Sequence, residues 1–134
     1  MKFQGKRVLI VEDDSLIAFD TGNTLEQALG ANVTLRRFDL GELSDLLKNG
    51  YADLMMIELC ADQEDRLDLV RIASMAGTSV VIGTVCDEDR NGVRGYEHIP
   101  VIVKPYDPAR LVQIVKAELG PCAPGSCLSE RMPA

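Results

Sequence analysis

Leu54-Met55-Met56-Ile57-Glu58 is a run of four apolar residues that stops at a carboxylate. Three other runs stop at a polar group in the same way. Val8-Leu9-Ile10-Val11 ends in Glu12-Asp13-Asp14, Val80-Val81-Ile82-Gly83 ends in Thr84, and Val101-Ile102-Val103 ends in Lys104-Pro105. Short continuous apolar runs separated by helix-length amphipathic stretches predict buried parallel strands, because a parallel sheet is covered on both faces and its strands lose strict alternation. In such a sheet, ligand sites form beyond the carboxyl ends of the strands. The carboxylates, the Thr84 hydroxyl and the Lys104 ammonium are therefore expected to meet at one edge.

The stretches between these runs supply the helices. From Ser15 to Leu29, Ala18, Thr21, Leu25, Ala28 and Leu29 fall on one face, with Asp14 as cap and Gly30 as stop. Residues 32 to 38 alternate weakly and predict a strand near a sheet edge. Leu43, Leu46 and Leu47 mark a short helix closed by Asn49-Gly50. Residues 65 to 76 carry Leu69, Ile72, Ala73 and Ala76 at helical spacing, with Gly77 just beyond. In the last helix Asp107 is the cap, Pro108 suits the first position, and Leu111, Ile114, Val115 and Leu119 form the buried stripe before Gly120. Residues 86 to 98 would be a helix if the alternation continued, but Asn91-Gly92 and Gly95 interrupt them. Five strands alternating with about five helices predict a three-layer α/β domain over residues 1 to 120. Residues 121 to 134 lack periodicity and are expected to form a mobile tail.

The formal charge of -7 and pI near 4.6 argue against a nucleic-acid binder, since that affinity rests on clustered Lys and Arg. The apolar stretch behind the charged amino terminus is interrupted at Glu12, too early for a signal sequence or a membrane span. A cytoplasmic protein is expected. Cys60 and Cys86 follow expected strands, while Cys122 and Cys127 lie in the tail. With His98 as the one histidine, they do not make the spaced ligand set of a zinc site. A tail disulfide would be unusual in a reducing compartment. Cys86 is read as structural or incidental more readily than as a reactive thiol.

From about Lys6 to Leu119 the chain resembles the receiver domains of two-component response regulators, which share the chemotaxis-regulator fold. Three stretches carry the likeness: residues 8 to 14 with their acidic pair, residues 52 to 58 in the place of the phosphoacceptor strand, and Val103-Lys104-Pro105-Tyr106 in the place of the invariant-lysine motif. Glu58 lies 45 positions after Asp13, Thr84 lies 26 after Glu58, and Lys104 lies 20 after Thr84. The resemblance implies a flavodoxin-like (βα)5 fold with a parallel five-stranded sheet in the order 2-1-3-4-5, the fourth helix here being short or irregular. It also implies that Glu12 and Asp13 hold Mg²⁺ together with the acceptor-position carboxylate of Glu58. Thr84 and Lys104 would contact the phosphoryl group, and Pro105 would follow a cis peptide. Physical chemistry agrees with such a set, because Mg²⁺ takes a few carboxylates plus waters and phosphoryl transfer is governed by positioning and charge neutralisation.

The departures point in one direction. Glutamate carries its carboxylate about 1.5 Å further than aspartate, and a misplacement of about 1 Å costs about 100-fold in rate. Where the family has proline four positions after the acceptor and glycine about eight after, this chain has Asp62 and Arg66. The aromatic switch residue expected three positions before the lysine is Val101.

The expected function is thus a stand-alone, atypical receiver domain of a two-component or phosphorelay system. It would be no enzyme, and it would act by contacts with a sensor histidine kinase or another signalling protein. Homodimerisation through the fourth helix, fifth strand and fifth helix is the family's other mode. Glu58 either mimics the phosphorylated state or pairs with Lys104 as a structural tie. The alternative is a working receiver phosphorylated by a histidine kinase, at Asp13, Asp14 or Asp62. An α/β nucleotide-binding enzyme is disfavoured, because three acids after the first strand repel a phosphate and no glycine-rich loop is present.

Overall fold

The computed structural model describes Phe3 and residues 5–120. The expected tail, with Cys122 and Cys127, lies outside the described residues. Five strands form one parallel sheet: β1 (Arg7–Val11), β2 (Asn32–Arg36), β3 (Leu54–Glu58), β4 (Ser79–Thr84) and β5 (Val101–Val103), in the order β2-β1-β3-β4-β5. This is the expected topology.

The unbroken apolar runs follow from burial on both faces. Successive side chains of a strand point to opposite sides, so Leu54 and Met56 join Val8, Ile10 and Val81 in one core while Met55 and Ile57 join Leu9, Val11 and Ile82 in the other. Helices α1 (Ser15–Leu29) and α4 (Pro108–Leu119) cover the first core through Leu25, Leu29, Leu111, Val115 and Leu119. Helices α2 (Leu40–Lys48) and α3 (Glu64–Met75) cover the second through Leu43, Leu47, Leu69, Val70 and Ala73. Strand β2 takes the edge and is the most exposed, as its weak alternation predicts.

Local chemistry sets the helix ends. The Asp14 carboxylate accepts from the Leu16 and Ile17 amides at 3.0 and 3.1 Å, and Gly30 ends α1 at φ 72°. Asp39 and Asp107 cap α2 and α4 through the Glu42 and Arg110 amides. Gly22 lets α1 lie close on the sheet, since a Cβ there would meet Leu35 and Val33 at 3.1 and 3.2 Å.

Two residues assigned to buried faces are exposed. Ala28 lies about 80° around α1 from the stripe made by Ala18, Gly22, Leu25 and Leu29, given about 100° per residue, and faces solvent. Ala76 is not in α3 but caps its end, exposed, one residue before Gly77.

The chain forms four α-helices among the described residues, not five. Between β4 and β5 only a 3-10 turn, Asp87–Asp89, is regular. Gly92 and Gly95 sit at φ 124° and 89°, values an α-helix does not contain. The segment nevertheless closes the layer beside α3, because Val93 and Ile99 are buried in the second core with Tyr96 packed on it. The fourth helix of the (βα)5 pattern is thus replaced by a packed irregular loop.

Candidate functional site

All four strand-end groups gather at the carboxyl edge of the sheet. Parallel register sets them: Glu58 is opposite Gly83, Thr84 is opposite Val103, and the Lys104 amide donates to the Thr84 carbonyl at 2.8 Å. The Lys104-Pro105 peptide is cis, as the resemblance implies.

The pairing of charges differs from expectation. Lys104 does not meet Glu58; its Nζ lies 2.7 Å from Glu12 Oε1, with both side chains at most 10% exposed. Glu12 also accepts from the Asp14 amide at 3.2 Å. Glu58 is instead matched with Arg66, from the first turn of α3. The Arg66 Nη1 donates to the Glu58 backbone carbonyl at 3.0 Å and lies 3.7 Å from its carboxylate. The carbonyl bond is the firmer of the two, since 3.7 Å exceeds hydrogen-bond range.

Arg66 reaches Asp13 as well. Its Nη2 lies 2.7 Å from Asp13 Oδ2, while the Phe38 amide donates to Asp13 Oδ1 at 3.1 Å. The guanidinium stacks over the Phe38 ring, 4.6 Å from its centroid. These two bonds, that from Arg66 first, hold the Asp13 carboxyl below its ordinary pKa against the opposing effect of burial. A cation near a helix amino terminus is unfavourable to the helix dipole, so the Asp13, Glu58 and Phe38 contacts are what hold Arg66 there.

Mg²⁺ does not fit this arrangement without rearrangement. Arg66 bonds Asp13 and lies beside Glu58, and Lys104 pairs with Glu12, so two cations of the chain already stand among the three carboxylates. Among the described residues, the one acidic or thiol group of three whose ligand atoms lie within 4.8 Å of one another is Cys60, Cys86 and Asp89.

Those two cysteines are joined by a disulfide, with Cα atoms 6.0 Å apart. Cys60 follows β3 by two residues and Cys86 follows β4 by two. The bond therefore ties the loop after Glu58 to the loop after Thr84. Asp89, buried, accepts from the Ala61 amide at 3.1 Å, and Gln63 Oε1 accepts from the Cys60 amide at 2.8 Å. Thr84 is fully buried, and its hydroxyl accepts from the Cys86 amide at 3.0 Å. That hydroxyl also points toward Cys60 Sγ at 3.8 Å. The first contact lies within the loop after β4, and the second crosses to the loop after β3.

Val101, expected at the family's switch position, packs against the second core. The aromatic ring near the site is Tyr106, lodged beside Gly83 so closely that a Cβ on Gly83 would fall on its hydroxyl and within 2.8 Å of Cζ. Burial, then the charges of Glu12 and Glu58, push its pKa above the ordinary phenol range. A groove of about 530 Å³ opens next to it, lined by Asp14, Ile17, Thr21, Lys104, Tyr106 and Leu111.

Sequence reasoning placed Glu12, Asp13, Glu58, Thr84 and Lys104 at one edge and missed three relationships: Arg66 as the resident cation, the Cys60–Cys86 bond, and the Tyr106–Gly83 contact. Arg66 stood out only as a replacement for glycine. The cysteines were visible as residues two positions beyond neighbouring strands, a signal usable once the sheet order is known.

No family model matches the sequence, and no curated protein matches it. Solved structures do resemble the fold. A response regulator from Thermotoga maritima is 24% identical with a TM-score of 0.70, over 86% of this chain and 98% of that one. A response regulator receiver protein from Sinorhizobium medicae WSM419 is 21% identical with a TM-score of 0.70, over 86% and 94%. The PhyR response regulator REC domain of Erythrobacter litoralis is 19% identical with a TM-score of 0.71, over 92% and 97%. The likeness at these identities is one of architecture: this chain has the α/β fold of response regulator receiver domains.

Proposed function

We infer that the chain is a signalling domain of the receiver type that works through protein contacts and whose aspartyl-phosphate chemistry is disabled by its own side chains. The observation that carries this is Arg66, whose guanidinium bonds Asp13 and the Glu58 carbonyl. Phosphoryl transfer at such an edge needs a reacting oxygen in line and cations that neutralise charge on the transferred group. Here the acceptor position holds the longer Glu58, Lys104 is committed to Glu12, and the Thr84 hydroxyl is engaged by the Cys86 amide and by Cys60 Sγ. The Glu58 carboxylate offers one charge and two acceptor oxygens against the three oxygens and larger charge of a phosphoryl group. With Arg66 beside it, Glu58 acts as a structural partner that holds one conformation.

Partners of this domain are a histidine kinase or another signalling protein. The family's dimer face is altered here, since the fourth helix is replaced by residues 86–98, so we assign the chain contacts with a different partner through that loop, β5 and α4. Among the described residues no helix is long and apolar enough to cross a membrane.

Incubation of the full chain with a small phosphoryl donor and Mg²⁺, followed by intact mass measurement, tests this reading. No added phosphoryl mass is expected. A Mg²⁺-dependent adduct in the unaltered chain would overturn it.

A further inference from the structure

Two strands end at this edge in a polar residue, and a cysteine follows two positions later: Glu58 then Cys60, Thr84 then Cys86. In the β3–β4 register Glu58 faces Gly83, so these cysteines are carried to adjacent positions by the sheet itself. Their Cα atoms stand 6.0 Å apart, inside the range that a disulfide spans without backbone movement. Both residues are half-buried, which leaves a path for a small reagent.

The bond has a defined mechanical effect. It links the loop that leads into α3, the helix carrying Arg66, to the irregular loop that replaces the missing helix. A phosphoryl group on a receiver would join those same two loops through a strand-end hydroxyl. Here Thr84 turns its hydroxyl to the Cys86 amide and toward Cys60 Sγ, and Asp89 on the second loop accepts from the Ala61 amide on the first. The disulfide is thus the covalent link between the two loops, and the Ala61–Asp89 hydrogen bond lies beside it.

We propose that Cys60 and Cys86 form a reversible thiol–disulfide site whose oxidation state sets whether the loop after β3 and the loop after β4 move as one. The reagent class is a small disulfide of the glutathione type for oxidation and a dithiol, small or protein-borne, for reduction. One cysteine thiolate attacks a sulfur of the reagent, forming a mixed disulfide and releasing one reagent thiol. The second cysteine attacks that mixed disulfide, forming Cys60–Cys86 and releasing the second thiol. The protein gives up two electrons and two protons, and the reagent takes both. In a reducing compartment, a disulfide is usually of this transient kind. The inference deepens the proposed function, since redox state becomes the input that phosphorylation does not supply.

The test uses the full chain with Cys122→Ser and Cys127→Ser, equilibrated anaerobically over a series of glutathione redox poises, quenched by alkylation and mapped by peptide mass. Two thiols should disappear together at one poise, the crosslinked peptide should be Cys60–Cys86, and dithiothreitol should restore both. Hydrogen exchange of residues 59–66 and 85–95 should be about tenfold faster in the reduced form, as expected when a local opening is released. Cys60→Ser and Cys86→Ser should each show the fast exchange at every poise. Glutathione adducts without the crosslink, or a reduced chain that takes up zinc added alone and resists oxidation, would overturn the proposal. So would identical exchange in the two states. None of these readouts depends on phosphoryl labelling, so failure here leaves the proposed function standing, and a labelled chain would refute that function without touching the redox result.

Discussion

Arg66 Nη2 lies 2.7 Å from Asp13 Oδ2 across 53 residues of chain, joining the first turn of α3 to the acidic loop after β1. Asp13 is the group whose protonation breaks this link. Its folded pKa is depressed, so the pair stabilises the fold above the unfolded value of about 4 and that contribution is lost as pH falls through the folded pKa. The urea midpoint should therefore decline below about pH 4, and Asp13→Asn should flatten part of that decline. The carboxylate is partly solvated, so the effect is a slope and not an abrupt transition.

Glu58→Asp alone should not restore phosphorylation. Shortening the side chain corrects about 1.5 Å of reach, but Arg66 still bonds the residue 58 carbonyl and Asp13. Intact mass after incubation with donor and Mg²⁺ should show labelling only when Glu58→Asp is combined with Arg66→Gly. Labelling of the single variant would mean that Arg66 is no obstacle.

The Glu12–Lys104 pair is buried and 2.7 Å long. Lys104→Met leaves Glu12 without its counter-charge and should cost about 3 to 5 kcal/mol in unfolding free energy. Replacing both residues, as Glu12→Leu with Lys104→Met, should cost less than the single change, because no buried charge is then orphaned. Chemical denaturation of the two variants measures the difference.

Gly83→Ala should destabilise by about 1 to 3 kcal/mol through overpacking, since the added methyl falls on the Tyr106 hydroxyl. Tyr106→Phe removes the nearest atom and should recover part of the loss. Equal destabilisation in both backgrounds would show that the two residues do not meet.

Much of this fold could be read in the chain because burial on both faces leaves an unbroken apolar run. Leu54 to Ile57 divides alternately between two cores, and the polar residue that follows each run marks the sheet edge. The site was legible as a set of residues but not as a set of partners. Lys104 has two carboxylates within the same neighbourhood, and only three-dimensional placement selects Glu12 over Glu58. Arg66 reaches Asp13 because the first turn of α3 lies beside the loop after β1, a relation that no local spacing encodes. The crossover from residue 86 to 98 was ambiguous for a physical reason: its glycines deny a helix, yet Val93 and Ile99 still carry core side chains.

The most direct test of the claim that Arg66 is the resident cation is a Mg²⁺ titration followed by amide NMR. With the native chain, the amides of Asp13, Glu58 and Leu59 should show no saturable shift up to tens of millimolar. Arg66→Ala should produce saturable shifts at those same amides. A saturable response of the native chain, with the Arg66 side chain still bonded to Asp13, would contradict the account.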